Sequence, residues 1–176
     1  GVTPDILVTG KALTGGYIPG SAVLVTEEIG RAAEGLLLHG HTHSCYPLMC
    51  AAAEANLAII ERDGLVKNAK DTGAYLHRKL EGLRDRYACV GDVRGRGLLQ
   101  GIELVRDRET KEADHDLGER LFQQMLKNGL ITELESRRNL ENAVIVLHPP
   151  LITGREDVDR AVSIMEISLE RCLRGE

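Results

Sequence analysis

Apolar residues recur along this chain at two spacings, one typical of strands and one typical of helices. Short apolar runs between turn-forming residues predict strands, and apolar residues at every third or fourth position predict helices with one buried face. Strands are predicted at 5–9, 21–26, 130–134 and 143–147, with two more inside 89–105. Helices are predicted at 27–34, 46–62, 65–87 and 115–127, and a terminal helix begins with a capping box at 153–156.

The same patterns predict which side chains are buried. The strands at 5–9 and 21–26 carry continuous apolar runs, which is typical of buried strands. On the helices, the residues expected to face inward are Leu65, Ala69, Leu76, Leu80 and Leu83, then Leu117, Leu121, Met125 and Leu126, and last Val158, Ala161, Ile164, Met165, Ile167 and Leu169. Strands accompanied by such helices predict a small α+β domain from residue 89 onward.

Composition narrows the class of protein. The chain has 176 residues, of which 43% are apolar and 28% charged, and its formal net charge is −5. These values are typical of a globular protein, and without a basic cluster they argue against nucleic-acid binding. No apolar run approaches the roughly 18 residues that a membrane span needs.

The four cysteines favour a reducing environment. They are scattered without a C-x-x-C spacing, which is more typical of free thiols than of a disulfide framework. The first residues also lack the basic and apolar regions of a secretory signal peptide, so we expect a cytoplasmic protein.

Lys11 is the first candidate functional residue, because it follows directly on the predicted strand at 5–9. Gly15, Gly16 and Pro19 exclude a regular element behind it, so the lysine lies on a strand-end loop whose backbone can approach a ligand. Such loops carry much of the chemistry of α/β proteins. A lysine there serves as a fixed charge for an anion or, when desolvated, as a nucleophile toward a carbonyl. A solvated lysine in a glycine-rich turn is the alternative.

Three histidines at alternate positions form a second candidate. On an extended strand His39, His41 and His43 would share one face, as ligands of some zinc sites do. No carboxylate or cysteine lies at a typical ligand spacing from them. We therefore expect packed or hydrogen-bonded histidines and no metal site.

Five segments together resemble the class III (subgroup II) aminotransferases, which depend on pyridoxal phosphate. The first is Pro4-Asp5-Ile6 with Gly10-Lys11-Ala12-Leu13-Thr14-Gly15-Gly16-Tyr17-Ile18-Pro19, which is similar to the family's cofactor-lysine segment. The others are Gly40-His41-Thr42-His43-Ser44 with Pro47 and Cys50-Ala51-Ala52-Ala53; Gly64-Leu65-Val66; Val93-Arg94-Gly95-Arg96-Gly97 with Gly101-Ile102-Glu103; and Pro149-Pro150-Leu151-Ile152-Thr153. They follow the family's order and spacing over essentially the whole chain.

The resemblance implies a fold and a division of the chain. The fold is that of the fold type I transferases dependent on pyridoxal phosphate, with an α/β large domain followed by a small α+β domain. Residues 1–63 would form the C-terminal part of the cofactor-binding large domain, 64–88 a connecting helix, and 89–176 the small C-terminal domain. In the family, the segments that hold the pyridine nitrogen and cradle the phosphate precede the lysine. We therefore expect the C-terminal part of an aminotransferase, with little activity by itself.

The resemblance also implies the cofactor residues. Lys11 would be the catalytic lysine, joined to pyridoxal 5′-phosphate as a Schiff base. Thr42 would bind the cofactor phosphate in the active site of the other subunit of a homodimer. The family usually has glycine at position 45 and a small or polar residue at position 46, where this chain has Cys45 and Tyr46. This difference could reshape the substrate entrance.

Substrate residues are less well defined. Relatives that act on α-carboxylates often carry arginine shortly before the paired prolines, and Val146 occupies the matching position here. Arg137 or Arg138 could bind a substrate carboxylate instead, although both could equally be solvated loop residues. We interpret Arg94 and Arg96 as part of a structural turn with an ion pair, in preference to a substrate contact.

The expected activity is transfer of an amino group from an amine or ω-amino acid donor to a keto acid. One alternative is an aminomutase of the same family, which would isomerise a single substrate. The other is a non-catalytic domain that uses the same scaffold for dimerisation.

Overall fold

A computed structural model describes residues 2–36, 40–137 and 142–175, with the backbone alone at Arg137. Its elements are β1 (Ile6–Gly10), a 3-10 helix (Lys11–Thr14), β2 (Ser21–Val25), α1 (Glu27–Ala33), α2 (Pro47–Arg62), α3 (Leu65–Arg86), β3 (Val90–Arg96), β4 (Leu99–Leu104), α4 (His115–Lys127), β5 (Glu133–Arg137), β6 (Asn142–Leu147) and α5 (Arg155–Arg174). They form two compact units, divided between Gly64 and Leu65. In the described part of the chain, no helix is long and apolar enough to cross a membrane.

The first unit begins with a two-stranded antiparallel ribbon, in which Ile6 pairs with Val25 and Gly10 with Ser21. Both strands confirm the predicted elements, but the prediction that they are buried is wrong. Val8 is 70% exposed and Val23 is 65% exposed. An apolar run shows that a strand is suited to burial, whereas a ribbon of two strands leaves most of its own side-chain surface open.

The second unit has the predicted α+β architecture. Its four-stranded antiparallel sheet has the order β3-β4-β6-β5, and α3, α4 and α5 pack with it. Each layer contributes to one core, in which Leu80, Leu104, Met125 and Ile145 are fully buried. Burial of side chains of this size contributes about 1.5–3 kcal/mol each, so this unit has the hydrophobic core of an ordinary folded domain.

Helix α3 belongs to this second unit. The sequence analysis sets residues 64–88 apart as a connecting helix, yet Leu76, Leu80 and Leu83 of α3 lie in the core of the second unit. The division of the chain into a large and a small domain stays a prediction.

Strand β5 begins three residues later than predicted. Gly129 has a φ of 86°, and the Leu130 amide donates to the Met125 carbonyl at 2.9 Å. This bond from a residue to the fifth before it closes a Schellman motif at the end of α4. Leu130 therefore belongs to the helix cap and not to the strand.

Two predicted inward positions are wrong. Leu126 is 46% exposed and Ile167 is 47% exposed, because the buried stripe of each helix runs through a neighbouring position. Next to Ile167, the stripe of α5 includes Ser168, which is fully buried. Its hydroxyl accepts a hydrogen bond from Asn128 Nδ2 at 2.9 Å, which satisfies a polar group at a core position.

The predicted capping box at 153–156 is also wrong by one residue. Gly154 is the N-cap of α5, and its amide donates to Asp157 Oδ2 at 3.0 Å. Thr153 is buried, and its carbonyl accepts from Asn68 Nδ2 at 3.0 Å. This bond fixes the start of α5 against α3.

The turn between β3 and β4 packs directly on α3 through two glycines. A Cβ added to Gly73 would lie 2.1 Å from the Gly97 carbonyl carbon, so the two backbones are in contact. Buried Gln100 bridges the same place, with Nε2 donating to the Gly97 carbonyl at 2.7 Å and Oε1 lying 2.9 Å from His77 Nδ1.

Arg94 lies on this hairpin and is paired within it. Its guanidinium donates to Glu103 at 2.5 Å and to Asp92 at 2.9 Å. The hydrogen bond to Glu103 is the main cause that raises the pKa of Arg94 above its ordinary value. This ion pair agrees with the interpretation of Arg94 as part of a structural turn.

We expect Gly73→Ala to lower the free energy of unfolding of the second unit by about 3 kcal/mol, because the methyl group would overlap the Gly97 backbone. Gly82→Ala on the same helix is the matched control, since nothing lies within 4 Å of a Cβ there. It should raise stability by roughly 0.5–1 kcal/mol through helix propensity. Urea unfolding followed by circular dichroism measures both, and a similar effect of the two substitutions would contradict the close contact.

Candidate active site

Lys11 lies where β1 ends and the 3-10 helix Lys11–Thr14 begins. Its φ is 50°, a left-handed conformation that costs a residue with a side chain roughly 1–2 kcal/mol. Its side chain is exposed. The backbone is thus held in an unfavourable conformation at the residue that the sequence analysis identifies as catalytic, and other contacts must offset that cost.

Asn56 of helix α2 supplies those contacts. Its Nδ2 donates to the carbonyls of Ala12 at 3.0 Å and Leu13 at 3.1 Å, and the Ala12 carbonyl also accepts from the Gly15 amide at 3.0 Å. Thr14, which is 1% exposed, closes the other end of the turn by donating from its hydroxyl to the Ile18 carbonyl at 2.5 Å. We call residues 11–18, held in this way, the lysine turn.

Thr42 lies in a second turn, just ahead of α2. The Ser44 amide donates to the His41 carbonyl at 2.9 Å, and the His41 amide donates to Ser44 Oγ at 2.8 Å. Thr42 is exposed between these two bonds. A hydroxyl and turn amides in front of a helix N-terminus can bind an anionic group such as a phosphate.

Cys45 ends this turn with a φ of 54°. The left-handed conformation explains why glycine is usual at this position in the family that the sequence resembles, since glycine adopts it without steric cost. Tyr46 follows, and its ring packs against the His43 ring with the centroids 5.9 Å apart.

The structure places the predicted site residues in different units. Lys11 and Thr42 both belong to the first unit. Arg137 is the last residue of β5 in the second unit, and neither its side chain nor Arg138 is among the described residues. Val146 lies in β6 opposite Glu133, so no arginine occupies that position. Whether Arg137 or Arg138 contacts substrate therefore stays a prediction.

A metal site finds no support in the described residues, where no three histidine, cysteine or acidic side chains cluster. His39 lies outside the described residues, and His43 is engaged with the Tyr46 ring.

The sequence analysis missed Asn56. Asparagine is a poor helix former, and it lies here in an otherwise alanine-rich segment of α2. That mismatch was the available signal, because a polar side chain in such a place often bonds to a backbone outside the helix.

Both turns present groups that suit pyridoxal phosphate. The cofactor needs an accessible amine to join its aldehyde and a hydroxyl or amide cluster to hold its phosphate. Lys11 and Thr42 are exposed and lie on turns that their own hydrogen bonds define. A Cβ at Gly16, within the lysine turn, would meet nothing within 4 Å, so there is open space next to that residue.

Comparison with known proteins gives a consistent result. The model of the aminotransferase class-III family matches residues 1–169. The chain is 40% identical to the adenosylmethionine-8-amino-7-oxononanoate aminotransferase of Methanocaldococcus jannaschii over 87% of its own length and 34% of that protein. It is 35% identical to the (R)-1-hydroxy-2-aminoethylphosphonate ammonia-lyase of Vibrio splendidus over 97% of its own length and 34% of that protein.

The solved structures agree. An amine transaminase from an uncultivated Pseudomonas species, in its PLP-bound form, matches with a TM-score of 0.87 and 36% identity, over 97% of this chain and 39% of that one. The chain thus spans about a third of the curated relatives it matches.

We expect Asn56→Ala to loosen the lysine turn, because the Ala12 and Leu13 carbonyls would both lose the hydrogen bond from Asn56, at a cost of about 1–3 kcal/mol in local stability. Hydrogen exchange should accelerate at the Gly15 and Tyr17 amides, which bond within this turn. Asn68→Ala is the matched control, because Asn68 Nδ2 also bridges two carbonyls, at Leu151 and Thr153. It should leave the lysine turn protected, and equal exchange there in both variants would contradict the role of Asn56.

We expect Cys45→Gly to raise the free energy of unfolding by about 0.5–1 kcal/mol. Glycine would remove the strain of the left-handed conformation, and the greater conformational freedom of glycine in the unfolded chain would offset part of that gain. Cys50→Gly, in the middle of α2, should instead lower it by about 1 kcal/mol. Thermal unfolding of the two variants measures the difference in sign, and a loss of stability in Cys45→Gly would show that the strain is absent.

Proposed function

Because this chain belongs to the class-III aminotransferase family, we propose that it forms the C-terminal part of a transaminase dependent on pyridoxal 5′-phosphate. The enzyme would move an amino group from an amine or ω-amino acid donor to a keto acid. The observation that carries the proposal is the exposed Lys11 amine on a strained strand-end turn that Asn56 holds in place.

Lys11 has two tasks in this proposal. Its amine would hold the cofactor at the cofactor's aldehyde, and it would move a proton at the substrate carbon as general base and acid. Bound pyridoxal phosphate supplies an electron-withdrawing ring that stabilises negative charge at that carbon. The strained backbone supports both tasks, since a turn fixed by Asn56 limits where the amine can reach.

Thr42 would bind the cofactor phosphate of a second subunit, which makes the protein a homodimer with shared active sites. From Pro47, which follows the Thr42 turn, to Asn56, which holds the lysine turn, α2 rises about 14 Å at 1.5 Å per residue. The exposure of Thr42 on a turn ahead of the α2 N-terminus, where an anionic group can bind, supports the assignment.

Arg137 or Arg138 would bind the carboxylate of an amino acid or keto acid substrate. Val146 leaves β6 without a fixed carboxylate ligand, which supports an amine or ω-amino acid as the donor. We also propose a cytoplasmic location, since all four cysteines are free thiols.

A second candidate function is an ammonia-lyase reaction, because the Vibrio splendidus relative named above is an ammonia-lyase and is similar over nearly the whole chain. A lyase releases ammonia without a keto acid. An aminomutase, which isomerises one substrate, and a non-catalytic dimerisation domain are the remaining candidates.

Borohydride reduction in the presence of pyridoxal phosphate tests the proposal. We expect reduction to attach the cofactor covalently to the peptide that contains Lys11 in the full-length protein, with peptide mass spectrometry as the measurement. Lys11→Ala should abolish the attachment and lower turnover by at least about 10²–10⁴-fold, the usual share of a general base. Lys67→Ala on α3 is the control and should change neither, since Lys67 is paired with Asp71.

Attachment to a different lysine, or none, would refute the assignment of Lys11. An assay of an amine donor with and without pyruvate separates the reactions: transamination requires the keto acid, a lyase releases ammonia without it, and a mutase yields an isomer.

A further inference from the structure

Three positive side chains surround the Tyr75 ring where helices α3 and α5 meet in the second unit. The guanidinium carbons of Arg78 and Arg155 lie 5.8 Å and 5.2 Å from the ring centroid, and the Lys79 ammonium lies 5.4 Å from it. These distances are within the range of a cation–π contact. Arg78 and Arg155 are both exposed, and we call them the arginine pair. The fold thus gathers positive charge at one place on a chain whose formal net charge is −5.

The tyrosine ring is fixed from two sides. It packs against the core of the second unit, and its hydroxyl donates to Asp159 Oδ1 at 2.7 Å. Lys79 Nζ lies 2.7 Å from the same oxygen, so α3 and α5 are tied together beside the ring. A fixed platform orders the guanidinium groups that contact it before any ligand arrives, which lowers the entropic cost of binding.

The carboxylates near the ring are already paired with lysines. Asp159 is bonded to Lys79 and Asp71 to Lys67, and each of these hydrogen bonds is the main cause that lowers the pKa of the carboxyl group. Arg155 contributes least to both shifts. Among the described residues, neither member of the arginine pair forms an ion pair with a carboxylate. Two positive charges are therefore left without a direct counter-ion.

Arg155 also occupies a position that does not favour a cation. It is the first residue of α5, and the amino-terminal end of a helix carries a partial positive charge. A guanidinium there is repelled by the helix, so the stability of α5 does not explain this residue. An anion bound at the same place would compensate both charges.

We propose that the arginine pair binds a phosphate group, either as the free anion or as the phosphomonoester of a small molecule. A phosphomonoester carries a charge of about −1.5 to −2 at pH 7, which matches two guanidinium groups. The planar fork of each guanidinium can donate two parallel hydrogen bonds to phosphate oxygens. Because one arginine comes from each helix, the bound anion bridges α3 and α5. The site is separate from Lys11 and Thr42, which belong to the first unit.

Chemical protection locates the site. Phenylglyoxal modifies exposed arginines, and peptide mass spectrometry of the full-length protein gives the rate at each one. Inorganic phosphate at ten times its dissociation constant should slow modification of the arginine pair about tenfold by mass action, whereas sodium chloride at equal ionic strength should not. Arg171 is the internal control, because it is exposed on α5 about 24 Å further along the helix at 1.5 Å per residue. Its rate should not change.

Calorimetric titration with inorganic phosphate measures the contribution of each side chain. Arg78→Ala and Arg155→Ala should each raise the dissociation constant about tenfold or more, the usual effect of losing a hydrogen bond to a charged group. The matched control Arg171→Ala should leave it unchanged. Tyr75→Leu should also weaken binding because the platform is lost, and Tyr75→Phe, which keeps the ring, should restore most of it. Differences between variants isolate this site from any phosphate bound near Thr42.

Glycerol 3-phosphate distinguishes the two sources of the phosphate group. Tighter binding of this ester than of inorganic phosphate would assign the site to a phosphorylated small molecule, and equal or weaker binding would assign it to the free anion. The proposal is overturned if phosphate protects the arginine pair no better than chloride does. It is also overturned if Arg78→Ala and Arg155→Ala, folded as judged by circular dichroism, bind phosphate as tightly as the unmodified protein.

Discussion

Two hydrogen bonds from the Asn56 side chain hold the candidate active site in shape. They reach the carbonyls of Ala12 and Leu13, directly behind Lys11. A four-residue 3-10 helix has too few internal bonds to fix its own conformation, and Lys11 adds a left-handed residue at its start. The lysine turn therefore takes its geometry from α2, so the placement of the amine depends on a side chain, Asn56, more than forty residues away in the chain.

Helix α2 also fixes the second turn of the site. It begins at Pro47, directly after Tyr46, so the Thr42 turn lies at its N-terminus, and Asn56 bonds to the lysine turn further along the helix. A helix is stiff over this length. One element thus sets the spacing of the two turns that carry Lys11 and Thr42.

The two units differ in how they are stabilised. The second unit has a closed core, with Leu80, Leu104 and Met125 fully buried, and tight backbone contact between Gly73 and Gly97. The first unit carries the proposed chemistry but exposes the apolar side chains of β1, β2 and α2. Apolar surface of this extent is stabilised only when another polypeptide segment covers it. In this chain, the two proposed cofactor residues, Lys11 and Thr42, accordingly lie in the same unit as the exposed apolar surface.

The sequence by itself determined the elements and the chemistry of single residues. Apolar runs and periodicity located the described strands and α-helices to within three residues, because the 2.0 and 3.6 residue spacings are local properties of the backbone, but they did not predict the 3-10 helix Lys11–Thr14. Residue type and motif order singled out Lys11 and Thr42. Other features do not follow from any local sequence pattern, and the tertiary structure alone decided them. The apolar strands β1 and β2 are exposed, Leu126 and Ile167 face outward, and Leu130 belongs to the cap of α4. It alone showed Asn56 bonded to the lysine turn, since that contact joins residues far apart in sequence, and only the folded chain brings them together.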